Sequence, residues 1–455
     1  MGKVSIANFK KAYYYLKRNG VQKAWYAVWE RIKEQESYQY VAPSQEELEK
    51  QRGTEFLQKP YFSILVPVYH TNPDFFREMI QSVLNQTYGH FELILADAGK
   101  SEELKEISET FQDDRIVYLP LEKNEGISAN TNAALQVAKG EYIGLLDHDD
   151  LLTEDALFTV AEQIEKTSGE KNPKRFFYTD EDKCDETGKN FYDYHKKMDF
   201  NLDLLFTNNY ICHFLVMDSA LMNELQFRSD FDGAQDYDLV LRAVGKLWEE
   251  NPQVEDLISH IPKVTYHWRC HRNSTAQNPA SKKYAYEAGR RALEDFVKEK
   301  GWKASVKHTD HVGFYRIEYE KDIWDSREDV AMINGPIYYK NKVVGGAYGK
   351  NQELTYGMVP KGFGGYLHRA KLQQNCEQID LFHARISPKV WENWDKLMPA
   401  DLQKDKLQWI WDTEKGNPVF AYNKEQYQSC RAAVCNKLLE LGYRLYYDPE
   451  WEHTV

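Results

Sequence analysis

Several short segments of this chain put reactive side chains at spacings that chemistry can use. Leu146-Asp147-His148-Asp149-Asp150 gathers three carboxylates with no basic residue among them. Like charges this close repel unless a cation or solvent neutralises them. Hard oxygen donors on a loop suit Mg²⁺ or Mn²⁺ that also holds phosphate oxygens; the plain alternative is a solvated acidic turn. Gly233-Ala234-Gln235-Asp236-Tyr237-Asp238 precedes an apolar run from Leu239. Asp238 suits a helix N-cap, which leaves Asp236 as a carboxylate able to take a proton from a hydroxyl nucleophile. Tyr266-His267-Trp268-Arg269-Cys270-His271-Arg272 joins imidazoles to guanidinium groups. One neutral imidazole can complete a carboxylate metal site. Arg269 and Arg272 can neutralise a diphosphate with bidentate geometry, although a His-rich basic loop is as often plain surface. In Asn124–Asn132, Gly126 opens a helix whose N-terminus can meet a phosphate or a ribose. Asp180-Glu181-Asp182 follows an apolar strand at Phe176–Tyr178 and reads as a polar loop near the substrate, with a rival metal site as the alternative.

The elements that must position these groups begin at Tyr61. Strands are expected at Phe62–Val68, Phe91–Ala96, Ile116–Leu119 and Tyr142–Leu146. Helices alternate with them from Pro73 to Asn85, Glu102 to Phe111 and Ile127 to Ala138, with Pro in a first turn and Gly140 just past a last one. Repeated βα units imply a mostly parallel sheet, and in such sheets ligands lie beyond the carboxyl ends of the strands. That rule selects Pro67 to Tyr69, Asp97, and Asp147 to Asp150. Farther on, a strand is expected at Ile211–Met217 and helices near 236–247 and 282–300. The charged stretch at Glu320–Glu328 suggests a boundary. The chain then divides into a helical segment over 1–60, an α/β domain over 61–320 and a smaller α+β domain over 325–455. In the last, a hairpin is expected around Lys340-Asn341-Lys342. The helix–strand–His order of 431–453 echoes that of 238–267, either as a common supersecondary pattern or as a degenerate half-repeat, and 361–370 reads as an acceptor groove or a turn with core aromatics.

Composition narrows the classes. The 455 residues carry a net charge of −13 with 28% charged and 42% hydrophobic side chains, ordinary for a globular protein. An acidic balance disfavours nucleic acid as a partner. No apolar run approaches the roughly 20 residues that span a bilayer, and the first residues lack the apolar core of a signal peptide. Six cysteines without a C-x-x-C spacing form neither a disulfide framework nor a zinc site. A reduced, cytoplasmic protein is expected. In 1–60, Phe9, Tyr13 and Leu16, then Val21, Trp25, Val28 and Ile32, share helix faces among seven Lys and Arg. Such a segment packs on the next domain or rests peripherally on the anionic inner face of a membrane. Aromatic content of 14% supplies platforms that suit sugars as well as cores.

The segments ILVPVYHTNPDFFREMIQSVLNQTY, ELILADAG, NEGISANTNAAL, LLDHDD, YTDEDK, GAQDYDLVLR and IPKVTYHWRCHRNSTA occur in this order over roughly 61–300. Together they resemble bacterial family 2 glycosyltransferases of the GT-A fold, in particular those that build O-antigen, capsule or rhamnose-rich cell-wall polysaccharides. The resemblance implies a metal-dependent, inverting transferase. It would move one sugar per binding event from a nucleotide-diphospho-sugar (a UDP-hexose, its N-acetyl form or dTDP-rhamnose) to a hydroxyl of a glycan or lipid-linked oligosaccharide. It implies that Pro67 and Tyr69 pack base and ribose, that Asp97 contacts the base, that Asn130 lies in the donor site, and that Asp147 touches ribose or metal. Asp149 would be the principal ligand of Mn²⁺ or Mg²⁺, His267 a late metal ligand, Arg269 a diphosphate contact and Asp236 the catalytic base. Ala98 stands where the family more usually has a second Asp, and Gln235 where it more commonly has Glu. The Q-x-x-R-W motif of processive relatives is missing. Two other classes compete. A transferase-like protein without chemistry would bind glycans or act as a scaffold, but the acidic residues and His267 are intact. A nucleotidyltransferase would favour Gly and Lys in the loop at Val68–Pro73, which has neither.

Overall fold

The computed structural model describes residues 38–271, 283–411 and 424–455, with Leu16, Lys17, Gly20 and Val21. Most of the basic amphipathic segment of 1–60, and Arg272, lie outside them. Ser44 opens α1 (Gln45–Arg52) through a capping box with Glu47. The chain then enters the expected alternation: β1 (Phe62–Val68), α2 (Pro73–Leu84), β2 (Phe91–Asp97), α3 (Glu102–Thr110), β3 (Ile116–Pro120), α4 (Ile127–Val137) and β4 (Tyr142–Leu145). β2 is buried throughout and β1 is buried at six of its seven positions, which is why both read as continuous apolar runs rather than alternating ones. Asn72 accepts from the Asp74 backbone and Pro73 supplies the first helical φ, fixing where α2 begins. Ser101 does the same for α3 by accepting from Leu104. These strands pair in parallel in the order β3-β2-β1-β4. Phe62, Ile64, Val66, Phe76, Met79 and Ile80 share the core between sheet and helices.

The sheet continues through elements less legible in the sequence: β5 (Leu151–Leu152), α5 (Ala156–Thr167), β6 (Phe176–Cys184), β7 (Phe191–His195), β8 (Leu215–Asp218), α6 (Ser219–Leu225), α7 (Gln235–Glu250) and β9 (Ile258–Arg269). β8 runs antiparallel to β4 and to β6, β6 parallel to β9, and β9 antiparallel to β5, with β7 added beside β6. Three sequence expectations change here. The strand expected at Ile211–Met217 starts only at Leu215, because backbone groups from Ile211 to His213 bond to side chains instead of a neighbouring strand. Asp180-Glu181-Asp182 is not a loop: it lies inside β6, buried. Asp238 is not an N-cap but lies within α7, 1% exposed, where it accepts from Arg228 Nε at 3.1 Å and from Arg242 Nε and Nη2 at 2.9 and 2.7 Å.

That last arrangement predicts a stability effect. Asp238→Ala leaves two guanidinium groups without their shared acceptor and should cost about 3 kcal/mol, the low end for a broken buried pair, because both arginines keep some access to water. A urea titration should show a lower midpoint with an unchanged slope. An unchanged midpoint would remove the pair from any account of the fold.

The residues just described, Ser37–Phe200 with Asn209–Phe296, form one compact unit. A second contains Asn201–Asn208 and Val297–Val455, so the division falls at Phe296/Val297 rather than near 320. In the second unit, Val330–Asn334 pairs in parallel with Arg444–Tyr447 and antiparallel with Arg385–Ile386, and Gln374–Asn375 completes four strands. Arg327 is fully buried between the carboxylates of Asp203 and Asp329, at 2.5 and 2.8 Å. The hairpin expected near 341 is present as Ile337–Tyr339 and Lys342–Gly345, turning through Lys340 and Asn341, both with positive φ. The helix–strand–His order at the end of the chain recurs as Lys424–Glu440, Arg444–Tyr447 and His453. Its strand has four residues where β9 has twelve. Within 361–370, Tyr366–Lys371 is a short 3₁₀ turn, with Ala370 packed beside Tyr356 and Tyr447. Among the described residues, no helix is long and apolar enough to cross a membrane.

Candidate active site

The acidic run leaves the sheet where β4 ends, and its three carboxylates face different surroundings. Asp150 is 1% exposed. It accepts from the Tyr266 hydroxyl at 2.5 Å and from the Arg269 backbone at 2.7 Å. Burial, with Asp149 and Asp147 beside it, raises its carboxyl well above the usual range. Asp150 therefore braces the loop, while Asp147 and Asp149 stay partly open. Asp149 Oδ2 lies 2.9 Å from Nε2 of His271.

Strand geometry decides which histidine meets the acidic loop. Successive side chains of β9 point to opposite faces. Tyr266 turns its hydroxyl toward Asp150, so His267 faces away. The His267 Nδ1 lies 2.5 Å from Asp182 Oδ1, and its ring packs between Tyr40 and Phe191 at centroid distances of 4.6 and 4.2 Å. His271, two residues past the end of β9, is free of that alternation and returns to Asp149. The histidine that meets the acidic loop is therefore His271, while His267, expected there from the sequence, pairs with Asp182. Arg269 is fully buried as well. Its Nε donates to the Asp149 carbonyl at 2.7 Å and its Nη1 to the Glu186 carbonyl at 2.8 Å. Nη2 lies 2.8 Å from Glu78, and Phe75 packs on the guanidinium at 4.6 Å. Instead of reaching outward for a diphosphate, Arg269 fastens the acidic loop to α2.

Asp236 lies in the first turn of α7. Its Oδ2 accepts from the Asn209 amide at 2.8 Å. Burial raises its carboxyl above the ordinary range against the opposing pull of His213, and Asp147 adds to the rise. His213 stacks on Tyr266 at 4.5 Å, with 12° between the rings. The two candidate centres, Asp147 to Asp149 and Asp236, therefore sit in one electrostatic neighbourhood bridged by Tyr266 and His213. The spacing of motifs gave no sign of Asn209 or His213. Their signal is only that they lie just before β8, the strand next to β4.

Other expected positions have defined structural partners. Asp97 is fully buried. It accepts from the backbones of Gly99 at 2.7 Å and Ser101 at 2.9 Å and from the Tyr118 hydroxyl at 2.5 Å. Ser101 and Tyr118 line a cleft of about 300 Å³ with Lys100, Lys105, Pro120 and Glu122. At the end of β1, Pro67 is half-buried and Tyr69 is 44% exposed, its ring packed at 4.0 Å on that of His70. Asn130 is buried and holds its own loop, accepting from Glu125 and donating to Asn124. The N-terminus of α4 already faces a carboxylate, since Ser128 donates to Asp232 at 3.3 Å. Gly126 permits this with φ +99, and a Cβ there would lie 2.3 Å from the Asp232 oxygen. A phosphate at that helix end would have to displace Asp232.

Residues 63–224 match the sequence model described as Glycosyl transferase family 2. The chain is 43% identical over 242 residues to "Uncharacterized protein y4gI" of Sinorhizobium fredii, covering 52% of this chain and 25% of that protein. It is 29% identical over 269 residues to "O-antigen biosynthesis protein RfbC" of Myxococcus xanthus, covering 58% of this chain and 20% of that protein. The chain thus spans a quarter or less of the length of these two curated relatives. Among solved structures, S. aureus TarS 1-349 in complex with UDP-GlcNAc aligns with a TM-score of 0.41 and 19% identity, over 52% of this chain and 66% of that one. The strand order and the family match together agree with the GT-A-type α/β domain expected from the sequence.

Proposed function

We propose that this chain, which carries a family 2 glycosyltransferase domain over residues 63–224, moves one sugar per binding event from a nucleotide-diphospho-sugar to a hydroxyl of a growing cell-surface glycan, with inversion at the anomeric carbon. The observation that carries the reading is Asp236: a carboxylate held by Asn209, made more basic by burial, in the neighbourhood of Asp147. As the acceptor oxygen attacks, Asp236 takes the hydroxyl proton, and its raised pKa brings it closer to the pH at which a general base works best. The new C–O bond forms on the face of the sugar opposite the departing diphosphate.

The donor's base would lie near the exposed Tyr69 ring and the turn that Asp97 holds. Asp149 and His271, 2.9 Å apart, offer a hard oxygen and an imidazole of the kind that Mn²⁺ or Mg²⁺ takes. Among the described residues, no group of three or more His, Cys, Asp or Glu side chains is placed to hold a metal ion. Such a cation would supply electrostatic stabilisation of the leaving diphosphate. Asp150, Tyr266 and Arg269 keep the loop in the shape that presents Asp149. A lipid-linked oligosaccharide at the cytoplasmic face of the membrane is the acceptor we propose, with the basic residues of 1–60 as a peripheral contact.

The test is a donor screen. The purified chain with Mn²⁺ is titrated by calorimetry with UDP-glucose, UDP-galactose, UDP-GlcNAc, UDP-GalNAc and dTDP-rhamnose, and nucleotide release is followed in parallel. One donor binding only with the metal is the expected result. A folded protein that binds none of the five would move the assignment to a transferase-like glycan binder.

A further inference from the structure

Beneath the segment that carries Asn209 and His213 lies a buried ion pair. Lys197 Nζ sits 3.3 Å from Glu181 Oε2, and the two side chains are 0% and 7% exposed. Both partners also grip the overlying backbone. Lys197 donates to the Ile211 carbonyl at 2.5 Å and to the His213 carbonyl. Glu181 Oε2 accepts from the His213 backbone at 3.1 Å, and its Oε1 lies 3.0 Å from His195 Nδ1. Although burial opposes it, the charge of Lys197 and the hydrogen bond with His195 hold the Glu181 carboxyl far below its usual range. The clamped backbone continues to the base: Cys212 donates to Asn209 Oδ1 at 3.3 Å, and Asn209 Nδ2 donates to Asp236 at 2.8 Å.

A buried ion pair seldom adds net stability over apolar side chains of the same size. Here the pair grips three backbone groups, the carbonyls of Ile211 and His213 and the His213 N–H, in a segment outside any strand. We infer that Lys197 and Glu181 are positioning residues for transfer: they fix the 209–213 segment, which in turn aims the Asp236 carboxylate at the acceptor hydroxyl. The inference rests on the functional reading above and assigns these two residues a role in turnover rather than in donor binding. Misplacing a reacting group by about 1 Å costs on the order of 100-fold in rate, whereas donor contacts at Tyr69 and Asp149 are made by other elements.

The experiment compares the parent chain, Lys197→Met, and the double variant Lys197→Met/Glu181→Gln, using whichever donor of the five-member panel the parent turns over. Lys197→Met should lose about 100-fold in kcat with donor KM changed less than threefold. It leaves the buried Glu181 carboxylate without its ammonium partner and will lower the melting temperature. The double variant leaves no unpaired charge. It should recover the melting temperature while kcat stays low, which a purely structural role would not produce. Recovery of kcat along with stability would overturn the inference. So would a KM that rises in step with the loss of kcat. Should Lys197→Met fail to fold, the double variant alone decides. A folded parent that turns over no donor would overturn the functional reading and this inference with it, whereas an active parent with an equally active double variant overturns this inference alone.

Discussion

Asp236→Asn should lose turnover by about 10² to 10⁴-fold, the span of a general base, while donor affinity stays near that of the parent and the folded state becomes more stable at neutral pH. The three effects share one cause. The Asp236 carboxylate is held out of water, and that burial raises its pKa above its ordinary 3.8. A carboxyl whose pKa rises on folding binds more protons folded than unfolded between the two values, so stability falls as pH climbs through that window. Asparagine fills the same space without the charge and removes that cost. The same rise places the acidic limb of kcat above the range of a free aspartate. Thermal melts and steady-state kinetics on both proteins across pH 4 to 8 (on the order of the span between carboxylate and imidazole values) check all three. Weakened donor binding with unchanged turnover would remove Asp236 from the role of base.

Asp149→Ala and His271→Ala should both weaken metal-dependent donor binding, while His267→Ala should not. Asp149 and His271 lie 2.9 Å apart at the mouth of the acidic loop. His267 lies on the other face of β9, against Asp182. Loss of a residue that merely supports a metal ligand costs about 10 to 100-fold in metal affinity, so loss of a direct ligand should cost at least that. His267→Ala instead leaves Asp182 with the Tyr38 hydroxyl as its remaining side-chain partner at 2.6 Å and should appear as a lower melting temperature. Calorimetric titration of Mn²⁺ in the presence of a bound donor separates the outcomes. Metal dependence that survives in His271→Ala and is lost in His267→Ala would reverse the assignment.

The contrast between these histidines marks how far the sequence could be read. Residues 61–146 were legible because burial on both faces imposes one demand, apolarity, and because Pro73, Ser101 and Gly140 punctuate the helices by local chemistry alone. The strand ends then point to Asp97 and Asp147 without any tertiary knowledge, since ligands of parallel sheets gather at carboxyl ends. Local pattern also singled out Asp236, which lies in the first turn of α7. What failed was the inference that charged residues after a short apolar run must leave the sheet. Asp180, Glu181 and Asp182 stay in β6 because Tyr194 and His260, His195 and Lys197, and Tyr38 and His267 meet them there. Tyr194, His195 and Lys197 arrive with the neighbouring strand β7 and the residues after it, whereas Tyr38, His260 and His267 come from distant parts of the chain.

The sequence by itself determined the alternating α/β plan, the acidic loop at the end of β4 and the carboxylate at the start of α7, because each depends on hydrophobic period and on capping within a few residues. Only the tertiary structure decided that His271 rather than His267 meets Asp149, that Arg269 is sealed behind the loop, and that Lys197 and Glu181 underlie the segment holding Asp236. Those outcomes depend on which face of a strand a side chain occupies and on what the neighbouring strand brings to it. A one-residue slip in the register of β9 would exchange the faces, and nothing in local spacing fixes that register.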